Sequence, residues 1–296
     1  MRIFHKLSVL IIGLFSTAAW AQQDFSNVEI QTQKVADGIY MLTGAGGNIG
    51  VSVGKDGVFV IDDQFAPLAQ KIRFAIEALS DKPVRFVINT HWHPDHTGGN
   101  EAMGKGGAII VAHANVRKRL QSGQLIKEFN IQSPPAPAAA LPMVTFEKGV
   151  TFHWNGQTLD VKHVVSAHTD GDSVIHFKEA NVIHAGDLYF NGIFPFIDTG
   201  SGGSIAGVIA GIDQLLAASD AETKIIPGHG PLSNRAELQA YRDMLATAYM
   251  RLKALKEDGK NTDEIVAAKP LADLDAEWGD GFLKMDSWVR LVLRGM

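Results

Sequence analysis

Two periodicities alternate along the chain. Residues 28–35, 39–42, 48–53 and 57–61 form short apolar or alternating runs separated by Gly-containing turns, and they predict antiparallel strands. From Ala66 to Leu79 the apolar positions Leu68, Ile72, Ile76 and Leu79 fall at helical spacing instead. A strand at 84–89 follows, then a polar loop, a short helix opening near Thr97-Gly98-Gly99-Asn100, a strand at 109–112 and a helix ending near Gln121. Four prolines between 132 and 142 predict a surface loop linking two halves.

The second half repeats the plan. Strands are expected at 144–152, 157–165, 173–177 and 181–185, a helix at 204–218, a strand at 224–226, a helix at 236–257 and a short helix at 263–268 capped by Thr262. Two strand-rich halves with helices outside predict an α/β (α+β) fold, a four-layer αββα sandwich. No sequence repeat goes beyond that plan.

Composition changes the picture in two places. Arg2 and Lys6 precede an apolar run from Leu7 to Phe15, and Ala19-Trp20-Ala21 is a small-x-small pattern. Residues 1–21 therefore read as a secretory signal peptide, the run being too short to span a bilayer. The expected location is periplasmic or secreted, with no stable membrane anchor, and 22–296 is expected to be one domain with a C-terminal helical extension. The formal charge of −5, two units lower without Arg2 and Lys6, argues against a nucleic-acid partner and leaves a small-molecule substrate as the expected one. With no Cys, an exported chain has no disulfides, and its core must carry its stability.

The chemistry concentrates in His91-Trp92-His93-Pro94-Asp95-His96, just past the strand at 84–89. Neutral imidazoles and carboxylates are ligands for zinc and similar divalent ions. Positions i and i+2 of an extended segment project together, while the adjacent Asp and His point toward a second ion. Downstream, His168, Asp187 (in Gly186-Asp187) and His229 (in Pro227-Gly228-His229-Gly230) follow or adjoin apolar runs, where open α/β sheets place their sites.

In that order these pieces resemble the metallo-β-lactamase superfamily, over roughly residues 28 to 245. The resemblance implies His91, His93 and His168 at a first metal, Asp95, His96 and His229 at a second, and Asp187 bridging or completing the second. It implies two zinc ions, with iron or manganese as alternatives, and hydrolysis of an amide, lactam, ester, lactone or thioester by a hydroxide held between them, oriented by Asp95. A β-lactam is the leading named substrate. One β-lactamase subclass has Cys where this chain has Asp187; Asp is more like the glyoxalase II, lactonase and arylsulfatase branches. Phe190 also stands where a subclass holds a substrate carboxylate with Lys. The alternatives are a glyoxalase II-like thioesterase or lactonase, a mononuclear iron dioxygenase, and a zinc-binding protein without turnover.

Around the ligands, Asp62 is expected behind a metal-binding imidazole and Asp63 in solvent. Thr90 and Thr97 are expected to bond the metal loop. Asp172 is either a partner of a ligand imidazole or an ordinary turn residue. His113 either faces the site or caps a strand; His184 packs near it; His153, His163 and His176 are structural. Tyr189 is the candidate substrate-binding donor to a developing oxyanion, with plain packing as its alternative. Residues 43–48 are expected over the metals, and 189–203, with Phe190, Phe194 and Phe196, as an apolar wall with a mobile lid.

Overall fold

Strand alternation builds the molecule from the inside. In β4 (Gly57–Ile61) every residue is buried; Val58 and Val60 face one way, Phe59 and Ile61 the other. The strand is therefore sandwiched, which is why it reads as a continuous apolar run. The computed structural model describes residues 24–296, so the signal peptide expected at 1–21 lies outside the described residues.

Among the described residues, the first half supplies β1 (Gln31–Ala36), β2 (Ile39–Thr43), β3 (Ile49–Gly54), β4, β5 (Val84–Ile88) and β6 (Ile109–His113). The helices α1 (Ala69–Glu77), α2 (Pro94–Thr97), α3 (Asn100–Lys105) and α4 (Ala114–Ser122) lie between or after them. A hairpin of β7 (Gln124–Ile126) and β8 (Ile131–Ser133) follows, and β9 (Val144–Phe146) pairs parallel with β6 to complete the first sheet. The second sheet runs β10 (Gly149–Trp154), β11 (Gln157–His163), β12 (Ser173–Phe177), β13 (Val182–Phe190), β14 (Lys224–His229) and β15 (Ser233–Asn234). Helices α5 (Ile205–Ala217), α6 (Arg235–Glu257), α7 (Thr262–Ala267), α8 (Asp275–Trp278) and α9 (Met285–Arg294) complete the chain.

Three cores hold four layers together. Phe59, Ile61 and Ile88 meet Val161, Ile175 and Ile226 between the sheets. Val58, Val60 and Val87 pack on Ile72 and Ile76 of α1, one turn apart on its inner face. Ile183, Ala185 and Ile225 pack under Val208 and Ile212 of α5 and Leu245 of α6. The expected αββα sandwich is the observed one.

The strand expected at 144–152 is two strands. The chain leaves the first sheet after Phe146 and enters the second at Gly149, and alternation continues through the crossing without marking it. Asn261, not Thr262, caps α7: its side chain accepts from the N–H groups of Asp263 and Glu264, and Glu264 reaches back to the Asn261 N–H. The proline-rich stretch contains a strand residue run and a 3₁₀ turn (Ala138–Ala140) rather than loop alone. The C-terminal extension is anchored by Trp288, which stacks on Phe194 at 4.5 Å and donates from Nε1 to Pro195 O at 2.8 Å.

Candidate metal centre

The site sits at the C-terminal ends of β4, β5, β13 and β14, which run parallel in pairs. Past β5, Pro94 biases His93 toward extended backbone (φ −62°, ψ 146°) and then opens α2 as its first residue. His93 therefore projects from extended backbone, while Asp95 and His96 project from a helical turn. That change of backbone state divides one loop between two groups of donors. β13 carries Asp187, β14 ends on His229, and the loop between β11 and β12 brings in His168.

The donors form two groups: His91, His93, His168 and Asp187, all buried, and Asp95, His96 and His229. In the first, His93 Nδ1 lies 3.0 Å from His91 Nε2 and 2.9 Å from His168 Nε2, and Asp187 Oδ2 is 3.4 Å from His168 Nε2 and 3.7 Å from His91 Nε2. In the second, His229 Nε2 is 3.4 Å from His96 Nε2 and 3.3 Å from Asp95 Oδ2. Asp187 belongs to both, with Oδ1 at 3.1 Å from His96 Nε2 and Oδ2 at 3.4 Å from His229 Nε2. Ligands about 2.05 Å from a tetrahedral zinc stand about 3.3 Å apart, so these edges are those of metal-sized cages.

Tautomers agree with that reading. His96 donates from Nδ1 to Asp62 Oδ2 (2.8 Å), His168 from Nδ1 to Phe196 O (2.8 Å), His93 from Nε2 to Asp198 Oδ2 (3.0 Å) and His91 from Nδ1 to Thr90 Oγ1 (3.0 Å). Each bond places one ring N–H away from the cage, so that in the neutral ring of His91, His93 or His168 the inward nitrogen has a lone pair, whereas His96 is raised above its ordinary value and exchanges an inward proton for a metal. Lone pairs facing one another at 3 Å need a cation between them. Asp187 Oδ1 is buried, with His96 Nε2 at 3.1 Å beside it.

Charge is distributed unevenly over the cages. Burial raises Asp95 and Asp187, but the neighbouring imidazoles outweigh it: Asp95 stands at about 2 and Asp187 well below its usual range. Burial lowers His229 and His96, yet Asp187 and Asp95 hold His229 at about 9 and His96 well above its ordinary value. His168, lowered to about 4 by burial, and His91, lowered well below its ordinary value by burial, stay neutral.

Asp62 stands behind the His96 ring, accepting from its Nδ1. Its backbone is left-handed (φ 61°), and its carboxylate also accepts from Thr90 N and Oγ1, both at 2.7 Å. Thr97 Oγ1 bonds Trp92 O and His93 O. Gly47 passes over His96 so closely that a Cβ would lie 2.1 Å from Cε1, which places the 43–48 loop on the site.

Other expectations change. Asp63 is fully buried, accepting from Gly99 N, and burial beside Asp62 raises its carboxyl well above the usual range. Asp172 does not reach a ligand imidazole; it accepts from Thr169 N and Oγ1 and shapes the turn after His168. His113 faces away from the donors: it caps α4 through Asn115 N and stacks on His163 at 3.8 Å. Tyr189 does not line the cavity beside the donors. Its ring is buried against Tyr241, and its hydroxyl bonds Ser233 Oγ (2.8 Å) and donates to Asn191 Oδ1 (2.9 Å). Along a strand buried on both faces, Asp187 and Tyr189 share a parity, but the register of β13 against β14 shifts between Gly186 and Phe190 and separates their directions. Of 189–203, Phe190 and Phe196 line the cavity, Phe194 is core, and Gly200-Ser201-Gly202-Gly203 forms a turn around Asp198 rather than a lid.

Asp198 and Asn48 escape a reading of the sequence. Asp198 lies 105 residues from His93. Asn48 Nδ2 donates to Pro227 O (2.9 Å) and Gly230 O (2.8 Å), stapling the His229 loop to the first half. Only the Asp198-Thr199-Gly200-Ser201 turn pattern offered a signal, and it reads as a turn.

Against known proteins, a 108-residue segment is 30% identical to a hydroxyacylglutathione hydrolase of Erythrobacter litoralis (36% of this chain, 35% of that protein). A 190-residue segment is 24% identical to the same-named protein of a Polaromonas species (60% of each). The matches thus span about a third to three-fifths of those relatives. Among solved structures, a metallo-beta-lactamase from Pontibacter korlensis superposes with a TM-score of 0.63 at 19% identity (74% of this chain, 99% of that one). The inverting sec-alkylsulfatase Pisa1 from a Pseudomonas species superposes at 0.65 and 20% identity (89% and 49%). These likenesses are of fold. A model of the metallo-beta-lactamase superfamily matches residues 42–235, the stretch that holds all seven donors, and the chain belongs to that superfamily.

Proposed function

We propose that this protein is an exported, metal-dependent hydrolase that opens an acyl bond in a small molecule: an ester, lactone, thioester, amide or lactam. The sharing of Asp187 between two donor cages carries the reading. Two bound divalent ions would supply an activated water and polarise the scissile carbonyl. His91, His93, His168 and Asp187 would hold one, and Asp95, His96, His229 and Asp187 the other. Zinc suits imidazoles with carboxylates, and iron or manganese fits the same set.

The chain's own residues do the rest. Asp95 is part-exposed, lines the cavity beside His229 and remains ionised, so it can orient the attacking water and take its proton. His93 and Asp187 line the same cavity, of about 380 Å³, a volume suited to a small ligand. The hydroxyacylglutathione hydrolases above keep thioesters in view; the leader pattern at 1–21 supports action outside the cytoplasm.

The test is metal analysis and turnover of a panel containing a chromogenic cephalosporin, aryl esters, lactones and thioesters, by mature protein from an exporting host. Turnover that a chelator removes, that zinc restores and that His93→Ala abolishes is expected. Two tightly bound ions with no turnover on any of the panel sink the proposal.

A further inference from the structure

The wall facing the donors is aromatic. Phe190 stacks on His229 (4.9 Å, 15° between planes), and Phe196 lies 5.7 Å from His93. Phe129 is 4.9 Å from Phe196, and Phe282 bridges the two sides at 6.1 Å from Phe129 and 6.3 Å from Phe190. The rings thus link a donor of one cage to a donor of the other. Ile126 and Ile131 fill the gap beneath the hairpin tip.

Two of these rings come from elements outside the sandwich. Phe129 sits in the turn between β7 and β8, and Phe282 in the segment between α8 and α9; both remain partly exposed at the cavity mouth. Glu128 at the hairpin tip pairs with Arg294 of α9 at 2.7 Å, so the collar is held from both sides. That pairing also occupies the nearby guanidinium, and Lys127 is exposed outside the cavity. Among the described residues lining the cavity there is no Lys or Arg; its ionisable members are His93, His229, Asp95 and Asp187. Away from His229 and the other donors, a carboxylate carried on the substrate against these rings loses water and meets no Lys or Arg of the lining. An aryl or alkyl group gains burial against rings.

We propose that the substrate is an uncharged ester or lactone with an aryl or alkyl acyl group, and that Phe129, Phe190 and Phe282 set this preference; the inference rests on the metallohydrolase reading. It separates this site from one that takes anionic β-lactams or glutathione thioesters.

A matched pair tests it: 4-nitrophenyl hexanoate against the 4-nitrophenyl monoester of adipic acid, equal in length but ending in a carboxylate. We expect at least a tenfold higher kcat/KM for the hexanoate, eroded in Phe129→Ala and Phe282→Ala and narrowed in Phe190→Lys. Calorimetric binding of an inert pair, butyrophenone and 4-butyrylbenzoate, to zinc-loaded protein should show the neutral ketone about tenfold tighter. Equal or better turnover of the adipate ester overturns the inference and leaves the hydrolase standing. If no acyl substrate is turned over with both ions bound, the hydrolase reading fails, and the ketone pair alone decides the cavity's preference; equal affinity, or tighter binding of the benzoate, overturns it.

Discussion

His93 and Asp198, 105 positions apart, are joined by a 3.0 Å hydrogen bond from Nε2 to a carboxylate oxygen. The bond turns Nδ1, not the more usual Nε2, toward His91 and His168. Burial raises Asp198, but its bond to His93 holds it at about 2, so the acceptor is charged at any pH where the protein would work. In Asp198→Asn an amide N–H can face the ring and favour the proton on Nδ1, inside the cage. Zinc affinity at the first cage should fall about 10- to 100-fold with the fold retained. Chelator competition with far-UV dichroism checks this; unchanged affinity removes Asp198 from the metal machinery.

Asp62 carries three buried donors: Thr90 N, Thr90 Oγ1 and His96 Nδ1. Asp62→Ala strands all of them and leaves the space where a carboxylate stood. Metal-free protein should lose about 3–5 kcal/mol of stability, as when one partner of a buried pair is removed. Urea denaturation measures the loss, and a change below 1 kcal/mol contradicts the network.

Protons and metal compete for the second cage. His229 at about 9 and His96, also raised, carry protons in the metal-free protein at pH 7, whereas His91 and His168 do not. Zinc binding at pH 7 should therefore release roughly two protons, and affinity should rise as pH climbs toward 9. Calorimetry in buffers of different ionisation enthalpy counts them. The same shift has a stability sign: a His raised from 6.5 to about 9 stabilises the metal-free fold below pH 6.5, and that contribution disappears as pH rises through 9. Zero proton release contradicts the charge distribution described above.

Gly47 is bounded by the His96 ring, 2.1 Å from where a Cβ would stand. Gly47→Ala must push the loop or the ring aside. Bound zinc should fall from two ions to one, because His96 belongs to the second cage while the first does not touch Gly47. Metal content by elemental analysis decides it.

Trp288 ties the C-terminal helix to Phe194 and Pro195, next to Phe196, whose carbonyl orients His168. Trp288→Ala should cost about 3–5 kcal/mol by cavity formation. It should also weaken zinc binding at the first cage. Loss of stability with intact zinc affinity would limit the extension to a packing role.

The sandwich was legible because burial on two faces, on one face, or on a helical stripe leaves different periods in a sequence. The seven candidate donors were named from residue type and from the resemblance to the metallo-β-lactamase superfamily; the change of backbone state at Pro94, which parts His93 from Asp95, is seen in the structure. The strand break at Phe146–Gly149 was not, since alternation is the same in either sheet. Nor was Tyr189's direction, which depends on a register shift against β14.

By itself the sequence determined which groups can ligate and which segments bury themselves, because both follow from side-chain chemistry and local period. Tertiary structure alone decided which oxygen stands behind each imidazole and what lines the cavity. Asp198, Phe196 O, Phe129 and Phe282 reach the site from distant segments, and no local pattern encodes a contact made across the fold.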